Sequence, residues 1–477
     1  MNNRLHDLSL WQEAVAELGA RKCYSTLILP EVRERTITQL LDGTYRFAPP
    51  HVAYIPKDDG SLRRLLIPSD DDRVVMSVLY HIYYPEATKH FHPSCTSYQK
   101  GMSTAVTAKR AQKHFGPGLK LDLSKYFDSV PRSVILEQLD KLYPDSGPTQ
   151  CLKAYYSDDR IEVKGKLEPH FKSLCQGCAF SAILANMVLN DFDELMTNTA
   201  EFYARYSDDM LILDPRADEL LPMVYDELSK HGLTLNPKKI QHINGGFDFL
   251  GIHIENDKLS IGAKGWRNLK QNVNATVKRL KTNVPIERYL QNARIAIMRT
   301  LNSQNAHTYG ALAYYRNVCS TSDDFRRLDT YCRDTVRAHY TGKHNVTHNL
   351  HVLPNSKFAQ ALWVNFEYLY EKPTPVFNAY VRMLMYYRPK QKYMREIVDP
   401  DEFQNICLNL WQYAKYYKSG YFNMQQVPDG HFLTDASTER EAYKILCDYV
   451  ASAYVPIGSK DYWYLGDSLY LFREMLT

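Results

Sequence analysis

Asp208 and Asp209 are adjacent carboxylates between two short apolar runs in the segment EFYARYSDDMLILD. The runs predict two strands, so both acids would lie in the tight turn that joins them. Aspartate is common in solvated turns, and the pair alone is compatible with one. Two ionised neighbours repel each other, however, and a bound cation would offset that repulsion.

A third carboxylate changes the interpretation of this turn. Asp122 ends the apolar run GLKLDL, which predicts a buried strand, and a charge there is costly without a partner. Three carboxylates on neighbouring strands supply the oxygen ligands that magnesium prefers, together with substrate phosphates. Two such ions about 4 Å apart can activate an attacking hydroxyl and stabilise a leaving pyrophosphate. The three aspartates therefore indicate metal-assisted phosphoryl transfer.

The segments before Asp122 predict helices and one hairpin. Residues 5–45 carry apolar positions at helical spacing, and a second helical stretch runs from Asp72 towards Tyr84. Between them, two apolar runs flank Asp59-Gly60, which is a strong signal for a β-hairpin.

Strands and helices alternate from residue 118 to residue 262. The pattern predicts one long apolar helix over 178–198 and a second helix over 217–231. FDFLGIHI and KLSI predict two further strands. After about residue 265 the pattern is almost wholly helical, so the chain as a whole is expected to be α+β.

Composition limits the class of protein. A chain of 477 residues predicts two or three packed units, and a net charge of +4 permits a nucleic-acid partner without requiring one. No apolar run approaches the roughly 20 residues of a membrane span, and the N-terminus lacks a signal-peptide pattern. We therefore expect a cytoplasmic protein with reduced thiols. Cys175 and Cys178 form a single C-x-x-C pair, which is weak evidence for a metal.

Six motifs resemble those of reverse transcriptases, in the same order, over about residues 50–260. YIPKDDG with RLLIP resembles their fingers hairpin, and DLSKYFD resembles the palm strand that carries the first metal aspartate. QGCAFSAIL is similar to a motif that usually reads QGxxxSPxL, with Ala182 in place of the proline. ARYSDDMLIL resembles the RYxDD hairpin of group II intron and related bacterial enzymes. LTLNPKKI and FDFLGI resemble the next two palm motifs.

This resemblance implies a right-hand polymerase with fingers and an antiparallel palm sheet flanked by helices. A helical thumb and an all-α C-terminal extension would follow. The expected parts are N-terminal helices and fingers at 1–117, palm at 118–264, thumb at 265–345, and a C-terminal helical domain at 346–477. The Arg-rich thumb face would follow duplex phosphates, unless it is only a solvated face.

The resemblance also implies a metal site. Asp122 and Asp208 would bind both of two Mg²⁺ ions, with Mn²⁺ as an alternative, and Asp209 would support them. The backbone carbonyl of Leu123 would be a further ligand.

Residues from two segments would contact the incoming dNTP. Phe127 falls where the family places its steric gate, which implies a DNA product, unless the ring is plain core. Lys57 and Arg63 would hold the triphosphate, with Arg64 as an alternative to Arg63.

Two further positions complete the expected site. Gln176 and Gly177 would lie against the nascent base pair, where glycine permits close backbone approach. Lys239 is the candidate general acid for the leaving pyrophosphate, with Lys238 as its competitor.

The leading hypothesis is an RNA-directed DNA polymerase in anti-phage defence. Length and the helical extension resemble abortive-infection and defence-associated reverse transcriptases, which implies a non-coding RNA partner, an RNA template and a nascent DNA strand. A homo-oligomer is left open. One alternative is template-independent or protein-primed DNA synthesis, which the many tyrosines and Ser181-Ala182 permit. Another is a maturase-like RNA-binding scaffold, against which the three retained acids argue.

Overall fold

The computed structural model describes residues 2–17, 27, 29–56, 60, 62–302, 310–361, 363 and 365–372. Two compact units separate near residue 250. The first is built from Met1–Leu250 and Ile254–Asp257, and the second from Gly251–His253 and Lys258–Thr477. Both helices and β-sheets are present, which confirms the α+β class.

The helices of the first unit are α1 (Asn2–Leu5), α2 (Leu8–Glu17), α3 (Pro30–Leu41), α4 (Asp70–Ala87), α5 (Thr104–Gln112), α6 (Tyr126–Ser129), α7 (Arg132–Asp140), α8 (Gly147–Ser157), α9 (Ala179–Met187), α10 (Asn190–Thr199) and α11 (Ala217–Lys230). Its strands are β1 (His51–Pro56), β2 (Leu62–Ile67), β3 (Gly118–Asp122), β4 (Arg160–Val163), β5 (Lys166–Pro169), β6 (Phe202–Tyr206), β7 (Asp209–Leu213), β8 (Gln241–Ile243) and β9 (Phe247–Phe249). Two short strands follow at the boundary, β10 (Ile252–Ile254) and β11 (Leu259–Ile261).

A four-stranded antiparallel sheet in the order β6-β7-β3-β8 carries the predicted acids. Side chains on both faces of its central strands are buried: Leu119 and Leu121 on β3, and Met210, Leu211 and Ile212 on β7. Helices α5 and α10 pack against β6, and α11 packs against β3. This layered core explains why the strands read as continuous apolar runs, and it confirms the predicted palm sheet.

The second sheet has the order β2-β1-β4-β5. β1 and β2 pair as an antiparallel hairpin with His51 opposite Ile67 and Pro56 opposite Leu62, as the sequence predicted. Lys57 and Asp59 lie outside the described residues. Helix α4 follows β2, and its N-terminus is capped by Ser69, whose hydroxyl accepts the amide proton of Asp72.

Two sequence predictions about element boundaries are wrong. The helix expected over 178–198 is two helices, α9 and α10, because Leu189 leaves the helical region with φ −110° and ψ 19°. The strand expected over FDFLGIHI is also divided. Leu250 and Gly251 both have positive φ, 53° and 81°, so the extended backbone stops after β9 and resumes in β10.

The second unit continues with α12 (Ala263–Val277), α13 (Ile286–Leu301), α14 (Ala311–Val318), α15 (Asp323–Thr341), α16 (Val346–Val352), α17 (Asn355–Gln360) and α18 (Phe366–Glu371). The helical character expected after residue 265 is confirmed in its described part. Helices α16 and α18 pack on α15, and the indole of Trp363 donates to Asp329 at 2.9 Å. Residues 373–477, most of the expected C-terminal domain, lie outside the described residues. No described helix is long and apolar enough to span a membrane.

Candidate active site

The β6–β7 turn brings the three predicted aspartates together. Tyr206 pairs with Asp209 across the hairpin, so only Ser207 and Asp208 form the turn. On the neighbouring strand, Asp122 is the register partner of Asp209. The backbone amide of Leu123 donates to the carbonyl of Asp208 at 3.1 Å, which fastens the turn to the end of β3.

The turn depends on a left-handed serine. Ser207 has a φ of 59°, a region that non-glycine residues adopt at a cost of about 1–3 kcal/mol when their surroundings impose it. Its amide donates to the hydroxyl of Ser97 at 3.0 Å, and that hydroxyl donates to the side-chain oxygen of Asn186 at 2.8 Å. The amide group of Asn186 donates back to the carbonyl of Ser97 at 2.6 Å. These buried bonds hold the residue that precedes Asp208.

A buried ion pair between β6 and α10 contacts the β6–β7 turn. Arg205 and Asp193 are both 0% exposed, and the guanidinium donates to the two carboxylate oxygens at 2.8 and 2.5 Å. The same guanidinium donates to the carbonyl of Ser207 at 3.3 Å. Sequence reasoning missed this pair. An arginine inside the apolar strand FYARY was the available signal, since a buried charge requires a partner.

The acids form a site of concentrated negative charge. Burial, followed by the charges of Asp208 and Asp122, raises the pKa of Asp209 to about 6. Burial also raises the pKa of Asp208, and Asp122 adds to that shift. The ammonium of Lys239 donates to Asp122 at 2.6 Å. Burial lowers the pKa of Lys239, but its hydrogen bond to Asp122 and the charges of the three acids outweigh that effect and leave it raised.

The chemistry of the donors fits a hard divalent cation. Carboxylates at this end of the sheet are the oxygen ligands that Mg²⁺ prefers, and a cation would relieve their mutual repulsion. Within the described residues, however, no three His, Cys, Asp or Glu side chains are arranged to hold one ion together. The Lys239 ammonium already contacts Asp122. A metal bound by Asp122 would therefore replace this contact, and the metal role predicted for the three acids and Leu123 stays a prediction.

Arg63 acts electrostatically on Tyr98, whose hydroxyl lies 3.4 Å from the hydroxyl of Ser207 in the β6–β7 turn. Arg63 is exposed on β2, whereas its neighbour Arg64 is half-buried. Burial raises the pKa of Tyr98, while the charges of Asp208 and Arg63 act on this pKa in opposite directions. The Tyr98 hydroxyl thus lies within electrostatic reach of both Asp208 and the Arg63 guanidinium, and the triphosphate role of Arg63 stays a prediction.

Phe127 lies in the short helix α6, five residues after Asp122. Its ring is half-buried and meets Tyr126 edge-on, with the ring centres 5.7 Å apart. The carbonyl of Phe127 accepts the amide of Leu174 at 3.0 Å, which ties α6 to the segment that leads into Gln176. A half-buried ring is compatible with the predicted gate, which stays a prediction.

Gly177 makes a different close approach from the one expected. It has a φ of 117°, and a Cβ atom there would lie 2.9 Å from the carbonyl oxygen of Leu66. The carbonyl of Gln176 accepts the amide of Leu66 at 2.9 Å. The glycine is therefore required by the fingers strand β2, whatever it also does at the base pair.

The Cys175 and Cys178 thiols are buried and free. Burial raises the pKa of Cys175 to about 12, so the thiolate that binds metals is strongly disfavoured. Cys178 is the residue that precedes α9, and its thiol contacts the sulfur of Met76 at 3.2 Å. Both thiols are packing groups at the start of a helix.

The comparison with known proteins agrees with this geometry. Residues 55–254 match the family model described as "Reverse transcriptase (RNA-dependent DNA polymerase)". Protein YkfC of Escherichia coli (strain K12) is 24% identical over 45% of this chain and 68% of its own length. The Putative COX1/OXI3 intron 1 protein of Saccharomyces cerevisiae is 25% identical over 35% of this chain. This chain spans only 20% of that yeast protein.

Solved structures that resemble the chain include apo telomerase from Candida tropicalis truncated from its C-terminal domain. That likeness has a TM-score of 0.36 and 14% identity over 49% of this chain and 60% of the other. The Sicinivirus 3Dpol RNA dependent RNA polymerase gives a TM-score of 0.41 and 12% identity over 69% and 71%. The family match covers the sheet, the turn and all three aspartates. Residues 55–254 of this chain match a reverse transcriptase domain, and this match supports an RNA-directed DNA polymerase of the nucleotidyltransferase class.

Proposed function

We propose that the chain copies an RNA template into DNA with Asp122, Asp208 and Asp209 as its metal-binding acids. The observation that carries this proposal is the convergence of three carboxylates at the end of β3 and the β6–β7 turn. Two Mg²⁺ ions bound there, or Mn²⁺ in their place, would activate the primer hydroxyl and stabilise the leaving pyrophosphate. The growing strand is DNA if Phe127 excludes a 2′-hydroxyl.

Lys239 has two successive roles in this proposal. Its ammonium neutralises Asp122 before substrate arrives, as the 2.6 Å contact supports. A metal held by Asp122 would displace this contact, and the Lys239 ammonium would then be able to donate a proton to the leaving pyrophosphate. Lys239, rather than its neighbour Lys238, contacts an aspartate in the described part of the chain. Arg63 would hold the triphosphate from β2, together with Lys57.

The second unit supports a nucleic-acid partner. A pocket of about 530 Å³ beside α13 is lined by four cationic side chains, Arg279, Lys281, Arg288 and Arg299, and none of its lining residues is acidic. Such a surface attracts phosphates through their charge and independently of sequence. An RNA template and the growing DNA strand are the partners that this surface would hold.

The central test is incorporation of labelled dNTPs on primed RNA with Mg²⁺. Asp208→Ala should reduce incorporation by at least about a thousandfold, because a metal ligand is lost. Its melting temperature should not fall, because the substitution removes a half-buried carboxylate that is repelled by Asp122. Asp218→Ala, an exposed acid on α11, is the matched control and should retain full activity. A well-folded wild-type protein that extends no primed RNA with either ion would contradict the proposal.

We also propose a cytoplasmic role in anti-phage defence with a non-coding RNA partner, which rests on the resemblance in length and motif order alone. Cells that carry the wild-type chain should restrict phage, and cells that carry Asp208→Ala should not. Equal restriction by both would favour an RNA-binding scaffold instead. Sequencing the nucleic acid that co-purifies with the wild-type chain identifies both template and product.

Protein-primed synthesis by the same site has one structural feature in its favour. Tyr98 is 42% exposed, and its hydroxyl lies 3.4 Å from the hydroxyl of Ser207 in the catalytic turn. Ser181 is a poor primer by comparison, because its hydroxyl is buried against that of Tyr156 at 3.1 Å. DNA that stays attached to denatured protein would support protein priming, and free 5′ ends would exclude it.

A further inference from the structure

A second polar cavity lies in the first unit, at the far end of the palm sheet. Phe202 begins β6 and pairs with Leu213, whereas Tyr206 at the other end pairs with Asp209. Four residues of strand separate these two ends, which is about 13 Å. The cavity has a volume of about 320 Å³, and Phe202 lies in its wall. It is therefore separate from the catalytic turn.

Cationic and flat side chains converge on this cavity. Arg110 and Lys113 reach it from the C-terminal end of α5, and His114 adds an imidazole stacked on Phe202, with ring centres 4.7 Å apart and planes 20° apart. The guanidinium of Arg110 is directed by a 2.8 Å hydrogen bond to the carbonyl of Pro93. A fixed guanidinium beside a stacked ring pair is the combination that binds a phosphate and its nucleobase.

Lys113 is an exposed cation in the cavity wall. Like Lys109, and unlike Lys89, Lys141 and Lys230, it forms no ion pair with a carboxylate within the described residues. Glu201 is the acid in the cavity wall, and its side chain is exposed. Glu194 near the cavity is already bonded to His92 at 3.1 Å. The two permanent cations thus outnumber the acid that faces them.

We propose that this cavity binds a nucleoside phosphate, with the phosphate on Arg110 and Lys113 and the base against His114. The ligand is either a backbone unit of an RNA strand or a free nucleotide, and the two share this chemistry. An RNA held here would be anchored to the palm at a place remote from the aspartates. The site would then retain a template RNA independently of primer extension.

Two Lys→Gln variants, at Lys113 and Lys109, distinguish binding at this cavity from attraction by the general positive charge of the surface. Lys113→Gln removes a lining cation, and Lys109→Gln removes an exposed cation from the same helix that does not line the cavity. Binding of a labelled single-stranded RNA is measured in EDTA at several salt concentrations. Lys113→Gln should weaken binding severalfold and reduce the salt slope by about one, and Lys109→Gln should leave both unchanged.

Equilibrium dialysis of radiolabelled AMP in EDTA distinguishes the two sources. Saturable AMP binding that is lost in Lys113→Gln identifies a free nucleotide, whereas an effect on RNA alone identifies a backbone unit. Equal behaviour of the two variants in both assays overturns the proposal. Both binding assays are run in EDTA, without catalysis, so failure of this proposal and failure of the catalytic one give different results.

Discussion

Burial and neighbouring carboxylates raise the pKa of Asp209, so the folded protein disfavours its ionised form. Asp209 lies between the charges of Asp208 and Asp122 and is largely removed from solvent, so its pKa rises to about 6. An ordinary aspartate in the unfolded chain titrates near 3.8. The folded state therefore holds this proton more tightly than the unfolded state does. As pH rises from about 4 to about 6, the metal-free protein loses stability through this one group.

Asp209→Asn should consequently stabilise the metal-free protein at pH 7. The gain is on the order of 2 kcal/mol, allowing for solvent screening, and it should nearly vanish at pH 4, where the wild-type acid is already neutral. Thermal unfolding in EDTA at both pH values measures it. Polymerase activity should be lost in the same variant.

Asp214 provides the opposite control on the same hairpin. Burial works against its charge, but hydrogen bonds from Arg216 and from the backbone amide of Glu201 outweigh burial and hold the pKa of Asp214 below its ordinary value. Asp214→Asn should therefore lower the melting temperature at pH 7. If both variants shifted stability in the same direction at pH 7, the electrostatic account of Asp209 would be wrong.

At the scale of elements, the packing of α10 against β6 stabilises the palm sheet. Arg205 on the strand and Asp193 on the helix are fully buried, and each is the main partner of the other's charge. The strand also receives support from outside the sheet, since its Arg205 amide donates to the carbonyl of Ser94 at 2.9 Å. These contacts hold the β6–β7 turn in its position.

Arg205→Met should destabilise the protein by about 3–5 kcal/mol, because it leaves Asp193 buried without its cation. Adding Asp193→Leu should recover a large part of that loss, since the pair is then replaced by apolar groups. Urea unfolding of the two single variants and the double variant measures the coupling. A double variant as unstable as the sum of the single ones would show that the two residues act independently.

The sequence predicted those elements that are determined by residues close together in the chain. The β1–β2 hairpin was foreseen because two apolar runs flank a turn dipeptide, and the palm strands because each is a short apolar run. The break between α9 and α10 was missed because neither glycine nor proline marks Leu189. The Arg205 pair joins residues 12 apart through a helix and a strand, and periodicity does not report such a partner.

At the scale of the whole molecule, we propose one surface for the chemistry and other surfaces for holding nucleic acid. The first unit holds the acids and the cavity at the far end of the palm sheet. The second unit holds the cationic pocket beside α13, whose members Arg288, Asn292 and Arg299 recur at helical spacing on one face. The amino-acid composition did not reveal the separate basic and acidic regions, because the net charge of +4 is a sum over both.

Arg288→Gln should weaken RNA binding without regard to sequence and reduce the salt slope by about one. Arg267→Gln is the matched control, since Arg267 is exposed on α12 and does not line the pocket. Anisotropy titrations at several salt concentrations compare the two with wild type. A loss of affinity confined to one RNA sequence would contradict a role in binding phosphates.

The contact between Gly177 and Leu66 also has a mechanical consequence. The Leu66 amide on β2 donates to the carbonyl of Gln176, and the absence of a side chain on Gly177 allows the two backbones to come into contact. A displacement of the β1–β2 hairpin would therefore also displace the segment that leads into α9. The hydrogen bond from the Leu174 amide to the Phe127 carbonyl would extend this displacement to α6. A methyl group at position 177 would lie 2.9 Å from the carbonyl oxygen of Leu66, so a larger residue there would push the segment before α9 away from β2.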